Sequence, residues 1–173
     1  SRPVTNVRNL NSPFWRNALK GFKAPTSIGS TQSNGGPNSE SEYNEREVWL
    51  TAETTAALKS LAKQHQFTLN TLMQGAWSLL LSRYSGEEDV LFGVTVSGRP
   101  ASLPGVESMV GLFNNTLPLR VRVPHDAELL PWLKNLQAQQ AELSQFEHSP
   151  LSDVLGWSEV PRSQMLFESI LVF

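Results

Sequence analysis

Chemistry in this chain can be sought first in a low-charge stretch from Ser97 to Thr116, where Arg99 is the only basic side chain. A guanidinium offers fixed, planar hydrogen bonding and suits the positioning of a carbonyl or carboxylate. The stretch closes on Asn114, Asn115 and Thr116, which put donors and acceptors where the chain returns to a strand. Two readings stay open on spacing alone. Either these residues contact a substrate, or Arg99 and Asn115 tie the loop to itself by side chain-to-backbone hydrogen bonds.

The other candidates are weaker. Of the three His, His65 falls at the end of a helical pattern, His125 in a Pro-His-Asp turn and His148 beside Ser149-Pro150. None has the i, i+4 partner that a helical metal pair requires, and there is no Cys, so no metal site is expected. Gly-x-Ser-x-Gly, Gly-x-Gly-x-x-Gly and Walker-type patterns are absent, which leaves serine-triad and nucleotide chemistry without local support. The acidic run Glu87-Glu88-Asp89 reads as solvated charge in a turn.

The elements that must hold these residues follow from periodicity. Phe14, Trp15, Ala18 and Leu19 share one helical face, with Gly21 as a stop. Residues 23–44, rich in Ser, Gly, Asn, Thr and Pro, read as a flexible linker within the domain. Arg46–Leu50 has the composition of a short strand. Thr51 caps a helix to about Gln64 with Leu58, Leu61 and Ala62 inward. Thr68 caps a second helix ending at Ser85-Gly86. Its apolar positions Leu69, Leu72, Met73, Ala76, Trp77, Leu80 and Tyr84, with Leu79 and Leu81, predict burial on most sides.

Val90–Val96 is apolar on both faces and reads as a central strand. Leu117, Leu119, Val121 and Val123 alternate with Pro118, Arg120 and Arg122, and Pro118 requires an edge, a bulge or a strand start. Asp126 is placed as the cap of a helix from about Glu128 to Phe146, with Leu129, Trp132, Leu133, Leu136, Gln140 and Leu143 on one face. A connection through Pro150, Trp157 and Pro161 leads to a strand-like run, Phe167–Phe173.

Composition bounds the class. A chain of 173 residues suits one domain, and five Trp with eight Phe argue against disorder. A net charge of −2 gives no footprint for nucleic acid, and no apolar stretch is long enough to span a membrane. Absence of Cys fits a cytoplasmic setting. The apolar run at the C-terminus and a first residue other than Met suggest a piece of a longer protein.

Ser97-Gly98-Arg99-Pro100 and Met109-Val-Gly-Leu-Phe-Asn-Asn-Thr-Leu-Pro-Leu-Arg120 together resemble the condensation domain of nonribosomal peptide synthetases. The resemblance extends to Phe14-Trp15 with Leu19-Lys-Gly21, to Leu69-Asn-Thr-Leu72 with Gly75-Ala-Trp77 and Leu81–Gly86, and to His148 with Ser149-Pro-Leu151 and Phe167-Glu-Ser169. It implies an α/β fold of the chloramphenicol acetyltransferase type, a mixed sheet packed against helices, with residues 1–173 forming part of the second, C-terminal lobe. It further implies amide formation between thioesters held on the phosphopantetheine of peptidyl carrier proteins, with no cofactor bound by the chain itself. The partners implied are the first lobe, the carrier proteins and an adjacent adenylation domain, with neither nucleic acid nor membrane.

By the same resemblance Arg99, Asn114, Asn115 and Thr116 would line a substrate tunnel in positioning roles. The family's catalytic His-His-x-x-x-Asp-Gly run has no counterpart here, since the chain contains no adjacent His pair. No catalytic residue is therefore assigned, and the chain alone is expected to be inactive. Asn114 stands where relatives often carry an apolar residue. An epimerisation domain of the same superfamily and a noncatalytic docking module are the competing readings. Apolar faces left without a partner would favour self-association.

Overall fold

The structure is a computed structural model that describes residues 10–28, 44–97, 105, 108–111 and 113–173. Its centre is a three-stranded mixed sheet of order β2-β1-β3, formed by β1 (Asp89–Val96), β2 (Asn115–Arg122) and β3 (Ile170–Leu171). β1 and β2 are antiparallel from the Asp89–Arg122 pair to Val96–Asn115, and β3 runs parallel to β1 at Gly93 and Val94. Among the described residues five α-helices accompany the sheet: α1 (Ser12–Ala18), α2 (Ala52–His65), α3 (Leu69–Ser85), α4 (Leu129–Leu143) and α5 (Leu151–Trp157). This is the mixed sheet packed against helices that the resemblance implied.

Local chemistry sets the helix boundaries. Thr51 and Thr68 cap α2 and α3, their hydroxyl oxygens accepting from the Thr54 and Thr71 amides at 3.1 and 3.0 Å. α3 ends on Gly86 at φ 75°, a left-handed position that a side chain would strain. α4 starts one residue later than expected, at Leu129. Its cap is Glu128 rather than Asp126 and makes no side-chain capping bond. A 3-10 turn, Ser144–Phe146, extends it to the expected end. α5 was hidden in the sequence because its seven residues lie between Pro150 and Pro161, too short for a periodic signal.

Val90, Leu91 and Phe92 are fully buried, so β1 is central as its two apolar faces required. Alternation puts Leu91, Gly93, Pro118 and Arg120 on one face, and Phe92, Val94, Leu117 and Leu119 on the other. The first face meets Phe167, whose ring would lie 2.6 Å from a Cβ on Gly93. Only glycine admits that approach. α4 crosses α3 at Gly75, where a Cβ would meet Leu133 Cδ2 at 2.6 Å.

Among the described residues β2 is an edge strand on its far side. Val123 donates to the Glu88 carbonyl, so the alternating ladder turns the backbone groups of Arg122, Arg120 and Pro118 away from β1. Pro118 therefore costs the ladder nothing. Trp132 Nε1 and Gln139 Nε2 of α4 donate to the outward carbonyls of Arg122 and Arg120, at 2.7 and 3.4 Å. Side chains thus occupy an edge that another strand could otherwise join.

Several expectations are corrected. Arg46–Leu50 forms no strand: it is irregular, and Val48 and Trp49 are both 86% exposed, because no sheet edge among the described residues accepts it. α3 is not buried on most sides. Thr71, Leu72, Gln74, Gly75, Ser78, Leu81 and Ser82 face inward, while Leu79, Leu80 and Tyr84 are exposed. Small and polar residues let α4 approach closely, which hydropathy alone does not signal. Of the run Phe167–Phe173 only Ile170–Leu171 pairs as strand. Asp89 is not solvated charge but a partner of Arg120. In the stretch 23–44, residues 29–43 lie outside the described residues. Thr26 within it is buried and accepts from the Leu91 amide at 2.9 Å.

Candidate functional site

Asn115 and Thr116 open β2 opposite Val96 and Thr95, at the end of the hairpin where the long connection returns. Asn115 is half-buried and its side chain is heavily engaged. Nδ2 donates to the Glu147 and Ser149 carbonyls, both at 2.8 Å, and Oδ1 accepts from the Thr116 amide at 2.9 Å. It does make side chain-to-backbone bonds, but to the connection between α4 and α5 as well as locally. Asn114 is exposed. The paired amides of the sequence therefore separate, one held inward and one in solvent. Arg99 lies outside the described residues.

The connection that Asn115 grips is anchored a second time. Ser149 is fully buried, and its Oγ accepts from Asn11 Nδ2 at 3.0 Å and from Trp15 Nε1 at 2.9 Å. Asn11 Nδ2 also lies 3.1 Å from His148 Nε2. Phe14 of α1 stacks on Phe146 with ring centroids 3.9 Å apart. The start of α1, the start of β2 and the turn before α5 form one polar and aromatic knot.

At the other end of the hairpin, Arg120 makes a two-pronged ion pair with Asp89, Nε to Oδ1 at 2.9 Å and Nη2 to Oδ2 at 2.6 Å. Its Nη1 donates to the Ala18 and Lys20 carbonyls at 3.2 and 2.7 Å, satisfying the end of α1. The guanidinium carbon sits 5.5 Å from the Phe22 ring centroid. The Asp89 hydrogen bond raises the Arg120 pKa above the ordinary value, outweighing burial.

Two clefts adjoin these knots. One, of about 580 Å³, runs along the far edge of β2 between Trp15 of α1 with its C-cap Leu19 and Trp132 and Leu136 of α4. The other, of about 410 Å³, lies at the end of the hairpin where the long connection leaves β1 and returns to β2. Val94 and Val96 of β1, with Thr95, face Asn70 and Gln74 of α3 and Gln140, Ser144 and Glu147 beyond them. Its wall next to Asn115 is the connection that Asn115 holds.

The three His residues do not converge. His125 is exposed beside Glu88 at 3.4 Å, His65 lies against the Phe67 ring, and His148 meets Asn11. Among the described residues no group of His, Asp and Glu could hold a metal ion, and no helix is long and apolar enough to cross a membrane. Residue typing missed Gln74, which is 3% exposed and accepts from Gln140. The apolar stripe of α4 places Gln140 on its inward face, and a polar residue there signals a polar partner across the interface.

Residues 8–173 match the family model described as Condensation domain. The chain is 55% identical over 166 residues to a linear gramicidin synthase protein of Brevibacillus parabrevis, covering 96% of the chain but 3% of that protein. It is 48% identical over 160 residues to chondramide synthase of Chondromyces crocatus, covering 92% of the chain and 4% of that protein. Among solved structures, the X-domain from teicoplanin biosynthesis aligns with a TM-score of 0.75 at 22% identity, over 98% of this chain and 38% of that one. The first condensation domain of the calcium-dependent antibiotic synthetase aligns with a TM-score of 0.72 at 18% identity, over 97% and 37%. The structural likenesses carry the fold, while the family match and the sequence identities carry the assignment. The chain belongs to the Condensation domain family.

Proposed function

We propose that the chain is part of the second lobe of a condensation domain in a nonribosomal peptide synthetase, supplying substrate-channel wall and docking surface. The reaction of the whole domain is attack of an acceptor amine on a donor thioester, with an amide formed and the donor carrier's thiol released. Both substrates arrive on the phosphopantetheine arms of carrier proteins. The partners are those carriers, the first lobe and a neighbouring adenylation domain, in the cytoplasm.

One observation carries this reading. The Gly111–Thr116 element and the His148–Leu151 element, both points of family resemblance, are joined through Asn115 beside the cleft at the connection end of the hairpin. Asn115 and Thr116 act there as positioning residues, and Asn114 presents an amide to solvent. No adjacent His pair is present in the chain, so the base that assists the amine is supplied from elsewhere in the domain.

The test mixes donor- and acceptor-loaded carrier proteins with the chain alone and with the intact parent domain, and reads the amide product by mass spectrometry. Product from the intact domain and none from the chain is expected. Condensation by the chain alone would overturn the division of labour, and an intact domain without product would overturn the function. A noncatalytic docking role is the second reading, favoured by the scattered His residues. Carrier binding by an intact parent that never condenses would select it.

A further inference from the structure

Ser149 joins three parts of the chain that lie far apart in sequence, yet it lines neither of the two clefts. Its amide donates to the Phe146 carbonyl at 2.9 Å, and its carbonyl accepts from Asn115 Nδ2 at 2.8 Å. Its hydroxyl oxygen accepts from Asn11 Nδ2 and Trp15 Nε1 at 3.0 and 2.9 Å. Both lone pairs of that oxygen are therefore taken. Ser149, Trp15 and Asn11 are 0%, 1% and 8% exposed, so water does not stand in for a lost partner. One buried serine thus ties the start of α1 and the start of β2 to the turn before α5.

Local helix stability is set aside to make this tie. Asn11 is the N-cap residue of α1, and asparagine is among the best capping types. Its side chain makes no capping bond and is turned towards Ser149 and His148 instead. α1 has seven residues, a length at which the backbone alone gives little helix stability and a cap counts most. The threonine caps of α2 and α3 show the local rule followed where nothing competes with it. A local preference yielded to a long-range contact marks a place where position matters to function.

Asn115 completes the link to the cleft. The two hydrogens of its Nδ2 hold the Ser149 and Glu147 carbonyls side by side, and Glu147 lines the cleft at the connection end of the hairpin. A shift of Ser149 therefore shifts Glu147 against the start of β2. We propose that Ser149 is a positioning residue for condensation, transmitting the placement of α1 through Asn115 to the channel wall. It acts through Asn115 and not on the substrate. The proposal deepens the function given above and rests on it for the reaction, while the relay from α1 to Asn115 rests on the hydrogen bonds alone. Alignment of reacting groups is sensitive to displacements of about 1 Å, so the wall must be held as well as folded.

Kinetics of the intact parent domain separate this role from a structural one. Each variant is assayed at a temperature where circular dichroism shows it folded. Ser149→Ala should lower kcat about tenfold by misplacing the wall, with KM for the acceptor-loaded carrier unchanged. Ala62→Gly weakens α2, which packs on α3, and should keep the native kcat. Native kcat in Ser149→Ala, an equal loss in Ala62→Gly, or a loss confined to KM would each overturn the positioning role. Asn11→Leu is the milder probe should Ser149→Ala fail to fold, since it removes one of the two hydroxyl contacts and no capping bond. A smaller fall in kcat with KM again unchanged is expected there, and native kcat would overturn the role.

NMR of the isotopically labelled chain tests the relay without the reaction. The Asn115 side-chain amide signals should shift, and exchange faster with solvent, in both Ser149→Ala and Asn11→Leu. Unmoved Asn115 signals would overturn the relay whatever the kinetics. A native parent domain that does not condense would strike the function given above, and moved Asn115 signals would still uphold the relay.

Discussion

The Asn115 side chain donates to the Ser149 carbonyl at 2.8 Å across 34 positions of sequence. Its other amide hydrogen goes to the Glu147 carbonyl, so one residue at the start of β2 fixes the turn that precedes α5. Asn115→Ala leaves two carbonyls without their donor in a half-buried setting. A loss of about 2 kcal/mol is expected from two such bonds, read as a lowered urea midpoint with an unchanged slope. Asn114→Ala, at the exposed neighbour, should change stability by less than about 0.5 kcal/mol. Equal effects at the two positions would mean that the clamp carries no stability.

Arg120 joins Asp89, the last carbonyls of α1 and the Phe22 ring. Arg120→Leu removes all three at once and leaves Asp89 without its guanidinium. About 2 kcal/mol should be lost, less than for a fully buried pair because both side chains are partly solvated. The pKa of Arg120 is raised by Asp89. A raised folded-state pKa means stability that is present below the unfolded value and lost only as pH rises through the folded one. Arg120 ionisation should therefore contribute no slope between neutral and mildly alkaline pH. Denaturation curves of the native chain and Arg120→Leu across that range should stay parallel, and a gap closing towards pH 9 would contradict this account.

Gly93 lies under Phe167, with three ring atoms within 3.0 Å of where a Cβ would stand. Gly93→Ala forces that ring outward, although alanine suits a strand better than glycine does. Overpacking should prevail, at about 1–3 kcal/mol. Pairing the change with Phe167→Leu should recover part of the loss, since the smaller side chain vacates the position. A double variant no more stable than the sum of the two single changes would remove steric crowding as the cause.

How much of this was legible in the sequence depended on whether a residue's role was set locally. The Thr51 and Thr68 caps and the central β1 followed from residue type and period, because each is decided within a few positions. Pro118 also narrowed its place to an edge, a bulge or a strand start, since a missing amide hydrogen cannot be repaired by context, and the fold selected the edge. The inward face of α3 did not show, because Gly75 and Ser78 are chosen for closeness to α4 rather than for hydropathy. Arg46–Leu50 has strand composition, yet a strand exists only with a partner edge. The role of Asn115 was half visible. Its type promised backbone hydrogen bonds, while the carbonyls it reaches belong to a turn that only the fold brings near.

α3 and β3 lead to the final prediction. Leu80 and Tyr84 are 45% and 69% exposed, and Val172 and Phe173 are 72% and 69% exposed. Trp77 Nε1 bonds Ser169 Oγ at 3.3 Å, which sets this helix beside the start of β3. Apolar groups brought to one side of a sheet edge favour association, and among the described residues the outer side of β3 is an unpaired edge. The chain by itself should therefore show a mass that rises with concentration in light scattering. Leu80→Glu with Tyr84→Lys places two charges on the outward turn of α3 and disturbs no buried side chain. That double variant should scatter as a monomer over the same range with its urea midpoint essentially unchanged. Association that persists in the variant would move the sticky surface elsewhere, to the exposed Val48–Leu50 segment or the groove along β2.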